Sequence, residues 1–232
     1  MDFVYVCREG ENEELRYSIR SVVKNAPVDN IWVIGGKPDW YTGNFISVKN
    51  DSGKFNNIKN CIKVASETDE ISEDFVLMND DFFITEKLNR VSLYYGGVLT
   101  NRHTRHQELC GPNAYATLLS KTDAALKKSG IDQPLNYDVH VPMVINKTKM
   151  RSIIHKPYAM MSYYGNLFCS DGINIEDVKI YSTYRLLSAS STINNGTPYF
   201  STEDGSFNKM QHEIKEIFPE PSIYEYPYSE SN

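Results

Sequence analysis

The chemistry in this sequence concentrates at Asn79-Asp80-Asp81, where one apolar run, Phe75-Val76-Leu77-Met78, stops and another, Phe82-Phe83-Ile84, begins at once. Polar side chains flanked so closely by apolar ones lie inside the core sequence, where each needs a partner. Two adjacent carboxylates suit a hard divalent cation, Mg²⁺ or Mn²⁺, that also grips substrate phosphates. Asp80 and Asp81 are therefore candidate metal ligands, and Asp81 a candidate catalytic residue. A strand-end turn or helix cap uses the same residue types. His140 is the second focus, in Asp138-Val139-His140-Val141-Pro142. Strand alternation puts Asp138 and His140 on one side and the valines on the other. With the valines in the core, His140 faces a cleft beside Asp138, which suits a general base for an acceptor hydroxyl. A structural histidine bonded to backbone fits the same pattern. Arg16 and Arg20, four residues apart on one helix face, suit a pyrophosphate or another acidic group. Solvated arginines near Glu13 are the plainer reading.

These residues need elements to position them. Asp2 to Cys7 reads as a first strand, with Arg8 directly after it, where a nucleotide binds in open α/β sheets. Asn12 then caps a helix with Glu13 and Glu14 at its positive end and Leu15, Ile19, Val22 and Val23 as its buried stripe. Asn25-Ala26-Pro27 ends it, and Ile31-Trp32-Val33-Ile34 forms a second buried strand closing at Gly35-Gly36. Asn56 to Ser66 carries Ile58, Ile62 and Ala65 at helical spacing, and the strand ending at the two acids follows. Strand, helix and strand in alternation predict a mainly parallel sheet flanked by helices.

The second half is less regular. Leu93 to Leu99 reads as a strand with a glycine kink, Thr100 to Gly111 as a polar loop holding Arg102, His103, Arg105 and His106, and Asn113 to Lys128 as a helix. Asn136 to Val144 is expected to be extended, and Asn146 to cap a short helix through Ile154. Phe207, Met210, Ile214, Ile217 and Phe218 mark a last amphipathic helix, stopped by Pro219. The expected organisation is one domain over residues 1–220 and a frayed tail over 221–232.

The bulk numbers set bounds. The 232 residues, 41% hydrophobic and 23% charged, are ordinary for a folded soluble domain. Sixteen tyrosines and ten phenylalanines favour ring-stacking grooves. A formal charge of −6 disfavours a general nucleic-acid binder. The four cysteines are scattered without a CxxC pair, which excludes the usual zinc frameworks and suggests a reducing compartment. Neither a signal peptide nor a membrane-spanning run is present, so the expected location is cytoplasmic. Asn146-Lys147-Thr148 and Asn195-Gly196-Thr197 are read as chance matches to the glycosylation pattern.

Several elements in order resemble the Stealth family. Glu14-Leu15-Arg16-Tyr17-Ser18-Ile19-Arg20-Ser21, Ile31-Trp32-Val33, Gly36-Lys37-Pro38-Asp39-Trp40, Phe55-Asn56-Asn57-Ile58 and the run from Phe75 to Phe83 look like its second conserved region. His140-Val141-Pro142-Met143 resembles its third region, and Phe200-Ser201-Thr202-Glu203-Asp204 with Phe218-Pro219-Glu220-Pro221-Ser222 and Glu225 its fourth. The family moves sugar-1-phosphate from a nucleotide sugar to a glycan hydroxyl.

The resemblance implies a glycosyltransferase-like fold of the GT-A or Rossmann-like kind. It also implies a divalent metal at Asp80 and Asp81, donor contacts from Arg8, Arg16, Arg20 and Asn56, an essential His140, and an acid at Asp204. The expected donor is a UDP-sugar. The expected acceptor is a glycan or another hydroxyl, and nucleic acid enters only as an acceptor. The tryptophan-rich opening motif is reduced here to Cys7-Arg8-Glu9-Gly10, and Met160-Met161-Ser162-Tyr163-Tyr164 stands where a third-region arginine is expected. Two alternatives stay open. One is a GT-A glycosyltransferase acting on a glycan or a modified phage DNA base, encoded by a bacterium or phage. The other is a non-catalytic carbohydrate- or nucleotide-binding module.

Overall fold

A computed structural model describes residues 1–49, 53–182 and 196–226 of the chain. Its centre is a five-stranded sheet of β1 (Asp2–Cys7), β2 (Ile31–Gly35), β3 (Asn44–Ser47), β4 (Asp74–Asn79) and β7 (Met143–Asn146) in the order β3-β2-β1-β4-β7. The first four strands are parallel, and β7 closes the β4 edge antiparallel. This is the mainly parallel α/β sheet that the sequence predicts.

Side-chain alternation explains the layers. From β1, Phe3, Tyr5 and Cys7 pack with Leu15, Ile19 and Val22 of helix α1 (Glu13–Asn25) on one face. Val4, with Phe75 and Leu77 of β4, meets Cys61, Ile62 and Ala65 of α2 (Lys54–Glu67) on the other. All of these are buried, so truncating one of the large aliphatic members to alanine costs about 2–5 kcal/mol.

A smaller sheet lies beyond β4. It holds β5 (Phe82–Ile84), β10 (Tyr199–Thr202) and β9 (Lys179–Ile180) in the order β5-β10-β9. Phe83 stacks on Phe200 at 4.6 Å, and α7 (Asp204–Ile217) covers this pair through Phe207, Met210 and Ile214. The chain thus leaves one sheet and enters another across two residues, Asp80 and Asp81. Helix α1 fastens the second sheet in place: the Ser18 hydroxyl donates to the Phe82 carbonyl, the Ser21 Oγ accepts from the Ile84 amide at 3.0 Å, and the Asn25 Nδ2 donates to the Ile84 carbonyl at 2.7 Å. Those side chains satisfy backbone groups of β5 that no second strand reaches.

The remaining elements among the described residues are β6 (Tyr94–Tyr95) paired with β8 (Ile173–Asn174), and helices α3 (Leu99–Cys110), α4 (Ala114–Lys128), α5 (Lys147–Ile153) and α6 (Met160–Phe168). Three expectations need correction. Residues 99–110 form helix α3 and not a polar loop; only Leu99 of it is buried, so it carries no apolar stripe to read. Residues 136–142 are irregular, and strand pairing begins only at Met143. The expected frayed tail is packed as far as Tyr226, with Ser222 and Glu225 buried. Residues 227–232, and Asn195 of the second glycosylation pattern, lie outside the described residues. No helix among the described residues is long and apolar enough to cross a membrane.

Candidate active site

In the order β3-β2-β1-β4 the chain reverses direction of build between β1 and β4, and such a switch point opens a crevice at the carboxyl ends of the strands. Val6 of β1 is level with Asn79 of β4, so Arg8 and the Asp80-Asp81 pair emerge side by side at that crevice. Gly36 lets the loop after β1 lie flat there. A Cβ on Gly36 would stand 2.4 Å from the Glu9 Cα and 2.5 Å from the Arg8 carbonyl oxygen.

Both acids are held from several sides. Asn12, the N-cap of α1, accepts from the Leu15 amide through its Oδ1 at 2.9 Å and donates through its Nδ2 to Asp80 Oδ2 at 2.6 Å. Burial, and then the neighbouring Asp81 charge, push the Asp80 carboxyl up to about 6. Asp81 is 8% exposed. Its Oδ2 takes an ion pair from the Lys179 Nζ at 2.5 Å and a hydrogen bond from the Ser201 Oγ at 3.1 Å. Its Oδ1 is buried and has no hydrogen-bond partner among the described residues. Glu14, buried in the first turn of α1, accepts from the Thr202 hydroxyl. Burial foremost, with Asp81, Asp80 and Asp204 adding to it, raises Glu14 to about 7. Asp204 forms a two-pronged pair with Arg8 at 3.0 and 3.1 Å, exposed at the crevice mouth. Asp80, Asp81 and Glu14 therefore share one neighbourhood with Lys179, and the exposed Arg8–Asp204 pair stands at its edge.

The described residues contain no cluster of three or more His, Cys, Asp or Glu side chains preformed around a metal. The donor set suits a less demanding ion. Magnesium-type cations keep most of their waters and take one or two protein carboxylates plus substrate phosphates, and Asp80 with the orphaned Asp81 oxygen offers such a pair.

His140 lies near this centre, its ring edge-on to Phe82 at 6.4 Å. Its carboxylate partner differs from the expected one. His140 Nδ1 is 2.7 Å from Asp177 Oδ1. Asp138 instead accepts from the Ser162 hydroxyl and, at 3.3 Å, from the Ser162 amide. The start of α6 claims Asp138, and the histidine turns to the strand leading into β9. Burial alone would raise Asp177, but the His140 hydrogen bond and the Arg102 guanidinium, 3.5 Å away, hold it below the usual carboxylate range.

The Arg16 and Arg20 guanidinium groups also go elsewhere than expected. Arg20 makes a forked pair with Glu225 at 2.7 and 2.9 Å, and Arg16 reaches the same carboxylate at 3.3 Å as well as Glu13 at 2.8 Å. Arg16 lies over Trp40 and Arg20 over Tyr17, both arginines buried. Their charge is matched inside the fold. Asn56 is exposed in the first turn of α2, and the neighbouring Lys54 contributes to the lowering of Asp204.

The sequence reading missed Asn12 as a ligand of Asp80, Glu14 as a member of the acid cluster, and the pair Asp177 and Lys179. The last two had a signal: Asp177-Val178-Lys179-Ile180 alternates polar and apolar, which puts both charges on one side of a short strand with Val178 and Ile180 buried on the other.

The strand order defines the class: an α/β protein with a cluster of charged side chains at its topological switch point. No family model and no curated protein matches the sequence. Among solved structures the chain is similar to the galactosyltransferase LgtC in complex with donor and acceptor sugar analogs, at 11% identity over 98% of each chain with a TM-score of 0.48. It is also similar to the apo form of the glycosyltransferase GlyE of Streptococcus pneumoniae TIGR4, at 11% identity over 95% of this chain and 51% of that one with a TM-score of 0.31.

Proposed function

We propose that the chain is a nucleotide-sugar-dependent transferase. The observation that carries this is Asp81: buried, with one oxygen unpartnered, beside a second acid at a parallel-sheet switch point. A buried, incompletely satisfied charge is costly to keep, and a divalent ion shared with a donor diphosphate removes that cost. Asp80 and Asp81 would hold the ion, which when bound supplies charge neutralisation to the diphosphate.

The chain's own residues do the rest. Arg8, 60% exposed at the end of β1, would meet donor phosphate, and its pairing with Asp204 keeps it oriented when no donor is present. Asp177 fixes the His140 ring with the proton on Nδ1, which makes Nε2 the nitrogen that takes a proton from an acceptor hydroxyl. The hydroxyl oxygen then attacks one of two atoms. Attack on the β-phosphorus transfers sugar-1-phosphate and releases nucleoside monophosphate, as the Stealth resemblance implies. Attack on the anomeric carbon transfers the sugar alone and releases nucleoside diphosphate, as in a GT-A glycosyltransferase. The donor reading is a UDP-sugar, and the acceptor a glycan or another hydroxyl.

Chromatography of a reaction run with β-³²P-labelled UDP-sugar separates the two outcomes. Label in the acceptor product means phosphotransfer, and label in released diphosphate means glycosyl transfer. Absence of any acceptor-dependent consumption across a panel of nucleotide sugars, together with no thermal shift by them, removes the transferase reading.

A further inference from the structure

We infer that the Lys179 ammonium holds the place beside Asp81 that a divalent cation would take, and that a metal ion enters the acid cluster by displacing it. This rests on the reading of Asp80 and Asp81 as cation ligands, and adds to it a built-in competitor.

The geometry is specific. Lys179 stands on β9, in the second sheet, and reaches Asp81 Oδ2 at 2.5 Å, while Ser201 from the neighbouring β10 shares that oxygen at 3.1 Å. Asp81 Oδ1 is buried and left without a partner by this arrangement. One ammonium therefore neutralises the charge of Asp81 but satisfies only half of its carboxylate. The adjacent Asp80 receives a neutral amide from Asn12, and Glu14 a neutral hydroxyl from Thr202. The other cation of the cluster, Arg8, is committed to Asp204.

A divalent ion would complete what Lys179 leaves undone, because it would draw on both oxygens of Asp81, the one Lys179 now holds included, with Asp80 adjacent in the chain. It cannot do so with the ammonium in place. Two cations at contact distance in a buried setting repel strongly, so binding is an exchange. A lysine suits that exchange, being a point charge on a flexible four-carbon stem, and this one keeps 16% of its side chain exposed as a path outward. The ammonium thereby offsets part of the negative charge before the metal arrives, and the metal is held more weakly than the acids alone would hold it.

The test is Mn²⁺ binding to the nucleotide-free protein, read from the electron paramagnetic resonance of free Mn²⁺. Lys179→Met is expected to bind Mn²⁺ about tenfold more tightly than wild type, since one like charge has gone from the site. Lys179→Arg is expected to show no gain, and adding Asp81→Asn to Lys179→Met to erase it. Equal affinity in wild type and Lys179→Met, or no Mn²⁺ binding by either, overturns the exchange. Should Lys179→Met fail to fold by circular dichroism, Lys179→Gln makes the same comparison with a polar group of similar reach. Thermal shift by UDP-sugars in chelator-containing buffer reports separately on the donor site. A shift there with unaltered Mn²⁺ affinity discards the exchange and spares the transferase reading.

Discussion

Helix α1 carries two charge clusters that differ in kind. Toward its middle, Arg16 and Arg20 are buried and share the buried carboxylate of Glu225, with Glu13 alongside, and the Arg20–Glu225 pair is forked. At its first turn, Glu14 and the Asn12 cap lie by Asp80, Asp81 and Asp204, where Glu14 and Asp80 are pushed above the usual carboxylate range and one buried Asp81 oxygen has no partner among the described residues. Both clusters join residues far apart in sequence, and both are rich in the residue types that bind phosphate. Completeness separates them. A cluster with each acid matched to an arginine holds the fold together, whereas the cluster at the strand ends is the one we propose as the ligand site.

The sharpest way to break this contrast is to replace an acid from each cluster. Asp81→Asn is expected to lower donor turnover by about 10³-fold, the equivalent of several kcal/mol of lost charge stabilisation, while unfolding stays cooperative. Glu225→Gln should do the reverse. It removes the carboxylate that two buried guanidinium groups share and costs about 3–5 kcal/mol in urea denaturation. A Glu225 variant of normal stability, or an Asp81 variant of normal turnover, would show that the two clusters are not different in kind.

Next in size is the histidine pair. His140→Gln should reduce turnover by about 10²-fold or more, as for loss of a general base, and Asp177→Asn by a smaller factor with a displaced pH–rate profile. Asp138→Asn should displace that profile less than Asp177→Asn, because the hydrogen bonds of Asp138 go to Ser162 and only its charge acts on the histidine.

The acid cluster also predicts a pH effect on stability in metal-free buffer. Glu14 is raised from 4.5 to about 7 and Asp80 from 3.8 to about 6. The folded chain therefore keeps protons that the unfolded chain releases, and stability falls as pH climbs through those intervals. Glu14→Gln should be more stable than wild type above pH 7, with the advantage shrinking toward pH 5, as read by melting temperature. The smallest effect belongs to Arg8. Its exposed pair with Asp204 contributes at most about 1 kcal/mol, so Arg8→Gln should leave the melting temperature nearly unchanged and raise the KM for donor.

Legibility in the sequence followed the range of the interaction. The β1–α1–β2 unit, the Asn12 cap, β4, α4, α5 and α7 were readable, because apolar periodicity and capping residues are local signals. Helix α3 was not, since Leu-Thr-Asn-Arg-His-Thr-Arg-His lacks a repeating apolar face. Asp80 and Asp81 could be placed at a strand end because the apolar run stops there. Their partners could not be placed, because Lys179 and Ser201 arrive through a second sheet about a hundred residues further on. The same limit explains Arg16 and Arg20: a pair of arginines on one helix face reads as a phosphate site until Glu225, more than two hundred residues away, is known to lie beneath them. Asp138 next to His140 misled in the opposite way, because nearness was taken for a hydrogen bond, which His140 makes with Asp177 instead.

The bare backbone at Gly36 offers a tuning handle that involves no charged group. Because the strand-end loop rests directly on that α-carbon, Gly36→Ala would wedge the loop upward and carry Arg8 with it, away from Asp204. Such a methyl would act as a shim, detuning donor capture while every ionisable side chain stays in the sequence.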